Sequence, residues 1–297
     1  MGKNLLVFLI IIVNTVFTLA ATAKVENYQP VFLDCSRSDA QAFAVAIRQF
    51  QQNGVAMSLV VEANSLKTKI ARQQDLSCKQ INRESFARTY YSQVLQQAAA
   101  NKAQMANAGV RRVNREQVAL TVDMCPSSKA YESRFYDWAE SAKAALGVAL
   151  TAAWGMRHPS ELARLKEMSK TTNDITWINH SYYHRYRAGV ANAQNFLLMD
   201  GTNIDAEVLG NEVFMIENGI VPSVYFRFPG LISSDGIITK ILGWGLIPLG
   251  SDAWLAKGEA PKAGSIILIH GNGNEPTGIT AFFRHLNQIL RFGIGSL

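Results

Sequence analysis

The sequence predicts an α/β fold, an incomplete (β/α) barrel preceded by an N-terminal helical extension. Three observations carry that expectation. From residue 117 onward, short β-rich runs alternate with helix-period stretches, the pattern of a parallel sheet with helices outside it. Most of these runs end on or just before a polar, chemically capable residue, as at the carboxyl ends of barrel strands. Residues 24–112 lack the alternation and are rich in Ala, Gln and Arg. An open doubly wound sheet is the second architecture the alternation allows.

The chain begins with Lys3, an apolar run over 5–19 broken only by Asn14, Thr15 and Thr18, and a small-x-small site at Ala21-Thr22-Ala23. This reads as a signal peptide over 1–23, with a secreted or periplasmic destination. The alternative is an uncleaved anchor. No other stretch is long enough to span a bilayer, so no stable span is expected after cleavage. At 297 residues, 48% hydrophobic and 18% charged, the chain is globular and able to bury a core without a metal or disulfide.

Between 24 and 112, Ala40, Phe43, Ala44, Ile47 and Phe50 recur at helical spacing, predicting a helix over 38–52 stopped by Asn53-Gly54. A short strand over 54–61 and a long helix over 82–108 follow, with Asn82 as N-cap and Gly109 as stop. From 113 to 297, strands are expected at 118–122, 144–153, 175–178, 223–226, 245–249 and 265–269. Helices are expected at 129–143, 159–170, 205–218, 235–242 and 278–292.

Three cysteines are present. Cys35 and Cys78 share the N-terminal region and form the expected bridge, leaving Cys125 free. The net charge of +6 has one tight basic cluster, Arg111, Arg112 and Arg115, with no interleaved aromatics. That excludes the usual nucleic-acid footprint and leaves anionic envelope polymers or membrane surfaces as contacts for the charge.

The chemistry-bearing residues are Asp123, His180, His184, Arg227, Asp252 and His270. The four-residue separation of His180 and His184 puts both imidazoles on one face of a helical turn, where they can share a metal ion. Five segments then fall in order: Thr121-Val122-Asp123-Met124-Cys125-Pro126, Asn179-His180-Ser181-Tyr182-Tyr183-His184, Arg227-Phe228-Pro229-Gly230, Ser251-Asp252-Ala253-Trp254 and Leu268-Ile269-His270. Together they resemble the motifs of the polysaccharide deacetylases, the NodB-homology group of carbohydrate esterase family 4.

That resemblance implies a metal-dependent hydrolase removing N-acetyl groups from a polysaccharide such as peptidoglycan or a chitin-like glycan. The alternative is an inactive glycan-binding homologue in the cell envelope. It implies Asp123 as base, His270 as general acid, Arg227 holding the base and Asp252 orienting His270. Trp254, Leu268 and Pro229 would line the acetyl pocket. The divalent cation, Zn²⁺ by expectation, would be held by His180, His184 and Asp123. Two departures stand out. Met124 occupies the family's metal-binding Asp position, where a thioether is a poor ligand and where neighbouring Cys125 offers a thiolate. Gly230 replaces an aromatic and removes one wall of the groove.

Overall fold

The computed structural model describes residues 23–35, 43–129 and 131–297. The expected signal peptide lies outside the described residues, apart from Ala23.

The N-terminal region is a sheet rather than a helical extension. Strands β1 (Val25–Asp34), β2 (Ala44–Gln52), β3 (Val55–Glu62), β4 (Thr68–Arg72) and β5 (Lys79–Gln80) form an antiparallel sheet in the order β4-β3-β2-β1-β5. The helix expected over 38–52 is therefore corrected to strand β2 over its described part. The cause is a β-bulge: the β2–β3 register shifts between Ala46 and Arg48. Val45, Ile47 and Phe50 consequently share one apolar core, and the bulge turns a spacing of two into a spacing of three that mimics a helix. The strand expected after Gly54 is β3.

The long helix expected over 82–108 is two short ones, α1 (Arg83–Ala87) and α2 (Tyr90–Ala99). Asn82 caps the first by accepting from Ser85 N at 2.9 Å. Thr89 caps the second from Ser92 N at 3.2 Å, so a second cap interrupts what reads as one period. Gly109 stops no helix. Its φ is +92°, and a Cβ there would lie 2.3 Å from Pro248 O. The glycine permits a close backbone approach. Cys35 and Cys78 are disulfide-bonded and Cys125 is free.

The remainder is the α/β incomplete barrel. Its strands are β6 (Val118–Met124), β7 (Leu146–Leu150), β8 (Ile175–Asn179), β9 (Tyr225–Phe226), β10 (Ile247–Pro248), β11 (Ala253–Trp254), β12 (Ile266–His270) and β13 (Ile294–Gly295). They run parallel in the order β10-β9-β8-β7-β6-β12-β11, with β13 beside the start of β6. Between them lie α3 (Ser133–Ser141), α4 (Ala152–Arg157), α5 (Pro159–Thr171), α6 (Ile204–Glu217), α7 (Asp235–Gly243) and α8 (Pro276–Phe292). Along β6, Val118, Leu120, Val122 and Met124 enter the core beneath the helices with Phe135, Tyr136, Phe282 and Ile289. Pleating turns the alternate residues, Thr121 and Asp123, to the other face. No helix among the described residues is long and apolar enough to cross a membrane.

The open seam is bridged by the segment that leaves α2. Val110 N donates to Pro248 O at 2.9 Å and Gly250 N to Val110 O at 2.7 Å. On the other side, Ile266 N donates to Arg111 O at 3.3 Å and Val113 N to Gly264 O at 2.9 Å. The N-terminal sheet also shares a core with the barrel: Val45, Ile47, Leu59 and Val61 pack with Ile178, Ile247, Leu249 and Ile266. A fully buried ion pair joins them, Arg48 Nε to Glu212 Oε2 at 2.7 Å, and the Tyr28 hydroxyl donates to the same oxygen at 2.9 Å.

Candidate functional site

Parallel register brings the polar strand ends to one rim. His270 pairs with Asp123 across β12 and β6, and Asn179 with Phe226 across β8 and β9. His180 and Arg227 are the next residues along those last two strands.

Asp123 is buried, 3% exposed. Arg227 Nη1 donates to its Oδ1 at 3.0 Å. Burial alone would raise the carboxyl's pKa, but Arg227 and the surrounding histidines more than offset it and hold it below the usual range. Arg227 is itself anchored by Nη2 donating to Gly250 O at 3.2 Å.

His180 and His184 lie on a loop, not on the helical turn expected from their spacing. Ser181 and His184 have positive φ, 69° and 47°, and these two left-handed residues fold the loop back so that the rings lie 4.8 Å apart. Asn179 Oδ1 accepts from Ser181 N at 3.0 Å and Glu207 Oε2 from Tyr183 N at 2.9 Å, bracing the turn. His180 Nδ1 donates to Arg227 O at 2.8 Å, which leaves the Nε2 lone pair free, the tautomer a metal ligand needs. Nε2 lies 3.4 Å from Cys125 Sγ and 3.6 Å from Asp123 Oδ2. His184 Nε2 is buried with no hydrogen-bond partner.

The expected ligand set of His180, His184 and Asp123 is thus rearranged. The ligand atoms that converge within 4.8 Å of one another belong to Cys125, His180 and His184. Pleating explains the change. Met124 turns away from the rim into the core under α3, where Tyr136 Oη lies 2.9 Å from its sulfur, and Cys125 turns inward. Asn272, fully buried, donates to Cys125 O and fixes this corner. Burial would raise the Cys125 thiol, but His184 and His270 outweigh it and bring it down to about 7. A thiolate and two imidazoles, one of them an orphaned buried nitrogen, are a donor set that fits Zn²⁺.

His270 lies across the site. Its Nδ1 is 2.8 Å from Glu275 Oε2. Burial works against its charge, yet Cys125, Glu275 and Asp123 hold the imidazolium well above the usual histidine range. Asp252 does not orient it. Asp252 Oδ1 accepts from Ile266 N at 3.2 Å and Oδ2 pairs with Arg112 Nε at 3.5 Å, so this carboxylate fastens the seam of the barrel.

The cleft above these residues has a volume of about 720 Å³ and is lined by Cys125, His184, Phe196, Trp254, His270 and Glu275, among others. Of the expected pocket residues, Trp254 lines it, whereas Leu268 and Pro229 are buried outside the lining. The aromatic wall expected to be lost at Gly230 comes from elsewhere. A Cβ on Gly230 would sit 2.4 Å from Phe196 Cζ, so Phe196 occupies that space, 5.8 Å from the His184 ring. Phe196 and Glu275 are the residues that sequence motifs did not point to. Glu275 carried one signal: it precedes Pro276, a helix-start pattern.

Residues 26–91 match the family model described as the RP012 protein N-terminal domain. Similar solved structures include a family 4 carbohydrate esterase from Bacillus anthracis, with 17% identity and a TM-score of 0.48 over 69% of this chain and 88% of that one. PdaA of Bacillus subtilis, also a family 4 carbohydrate esterase, gives 15% and 0.47 over 69% and 86%. A CE4-family pseudoenzyme from Bacillus anthracis gives 16% and 0.44 over 65% and 68%.

Proposed function

We propose that this protein is an exported metal-dependent deacetylase acting on an N-acetylated glycan such as peptidoglycan or a chitin-like polymer. One observation carries the reading: a converging Cys125–His180–His184 donor set stands beside an Arg227-held carboxylate, Asp123, with His270 on the same cleft. The motif order read from the sequence supports it. The Cys35–Cys78 disulfide supports export, because such bonds persist in oxidising compartments.

His180, His184 and Cys125 would hold the ion. When bound, a divalent cation such as Zn²⁺ supplies Lewis acidity that lowers the pKa of water and stabilises negative charge on the acyl oxygen. Asp123, kept ionised by Arg227, accepts the proton of the attacking water. His270, kept protonated, gives its proton to the departing amine, which is a poor leaving group otherwise. Trp254 and Phe196 wall the acetyl group and exclude bulk water.

The test is release of acetate from N-acetylglucosamine oligomers and peptidoglycan by mature protein of measured zinc content. A silent glycan binder is the second reading, favoured by the withdrawal of Met124 into the core. Glycan binding without acetate release, after zinc or cobalt addition, would establish that reading instead.

A further inference from the structure

We infer that Glu275 is the positioning residue for His270, in the place where the motif order puts Asp252. This deepens the deacetylase reading and rests on it for the role of His270. The placement of the two carboxylates carries the inference. Asp252 is engaged on both oxygens, by Ile266 N and by Arg112. Both partners belong to the barrel seam. Glu275 occupies the N-cap position of α8, where a carboxylate ordinarily accepts from its own helix. It makes no such bond. Its Oε2 instead lies 2.8 Å from His270 Nδ1 and accepts from Trp254 Nε1 at 2.8 Å.

The consequence for His270 is an ion pair: the carboxylate meets Nδ1 at 2.8 Å but out of line for a hydrogen bond. A carboxylate at Nδ1 favours the proton on that nitrogen and leaves Nε2 to carry the transferable one. The Trp254 ring lies beside the imidazole, centroids 6.1 Å apart and tilted by 34°, and Lys257 Nζ covers the indole at 3.5 Å. Glu275 therefore orients the proton donor and one wall of the cleft through a single oxygen. Helix α8 follows it without a break, so the carboxylate is delivered by a rigid element and not by a free loop.

The experiment compares wild type, Glu275→Ala, Glu275→Gln and Asp252→Asn in zinc-loaded full chain. Two substrates are used, an N-acetylglucosamine oligomer and 4-nitrophenyl acetate, whose phenolate leaves without protonation. Glu275→Ala should lower kcat on the amide by about 10²-fold, the usual size of a lost acid–base contribution, with KM little changed and a much smaller loss on the ester. Glu275→Gln, which keeps an acceptor for both N–H groups, should recover part of the amide rate. Histidine ¹⁵N spectra, assigned with His270→Gln, give a readout that needs no activity: the Nδ1 resonance of His270, 2.8 Å from Glu275 Oε2 in wild type, should shift in Glu275→Ala and stay in place in Asp252→Asn. Unchanged His270 resonances in Glu275→Ala, or an amide-selective loss in Asp252→Asn, would overturn the assignment. Absence of wild-type turnover on both substrates would instead refute the deacetylase reading, leaving the spectra to decide the role of Glu275.

Discussion

Gly230 and Phe196 occupy one space: the glycine, at φ 60°, leaves room for a ring whose Cζ would be 2.4 Å from any added Cβ. Restoring an aromatic at 230 alone should therefore destabilise the fold. Gly230→Tyr should cost about 1–3 kcal/mol, the range for overpacking, with backbone strain added. Phe196→Ala should relieve part of that cost, so that the double mutant is less destabilised than the sum of the singles. Urea unfolding of the four proteins measures it, and strict additivity would mean the two side chains do not compete.

The rearranged ligand set makes Asp123 and Cys125 separable. Asp123→Asn should keep metal stoichiometry while lowering turnover by about 10²–10⁴-fold, as for a lost general base. Cys125→Ser should lose most of the metal, and the cobalt-substituted wild type should show a thiolate-to-cobalt absorption band that this variant lacks. A wild-type cobalt protein with no such band, together with metal-free Asp123→Asn, would return the carboxylate to the ligand set.

Cys125 also predicts a pH window in metal-free protein. Its thiol is brought down to about 7 in the folded chain from an ordinary value near 9. The folded pKa is the lower one, so the stabilisation is complete above the unfolded value. It falls away as pH drops toward 7 and is absent below. Iodoacetamide labelling of the chelated protein should accordingly titrate with a midpoint near 7. A midpoint at the value of an ordinary thiol would show that His184 and His270 do not act on it.

Arg48 and Glu212 are both buried without exposure. Arg48→Ala should destabilise by about 3–5 kcal/mol, because it leaves a buried carboxylate uncompensated. Denaturant unfolding checks this, and a loss under about 1 kcal/mol, as for a surface pair, would show that water reaches Glu212.

Most strands and helices after residue 117 were legible because most short apolar runs end at a polar residue, and helix starts such as Pro159 mark themselves. Asn82 was legible as a cap for the same local reason. The β2 bulge was not, since one inserted residue at Ile47 erases the alternation on which strand recognition depends. The strand expected over 144–153 stops at Leu150 and gives way to α4, capped by Thr151, and neither α4 nor the two-residue strands β11 and β13 carry a period long enough to read. At the site, the motifs named Asp123, His180, His184, Arg227 and His270; parallel register places four of them at one rim, and the left-handed loop brings His184 to join them. The motif order pointed to Asp252 as the partner of His270 and not to Glu275, because the partners of these carboxylates are fixed only by the packing of the seam and of α8. Nor could it foresee Phe196, which reaches the Gly230 gap through a left-handed residue, φ 54°.

The shared core of Val45, Ile47, Leu59 and Val61 with Ile247, Leu249 and Ile266 joins segments from the two ends of the sequence. Such non-local contacts slow folding, since chain closure must precede the contacts that stabilise it. During synthesis the apolar face of β2 and β3 forms long before its barrel partners exist. Amides of β2 and β12 should thus exchange with solvent through the same global opening and not as separate regions. The strands translated first complete their burial only when the last ones arrive.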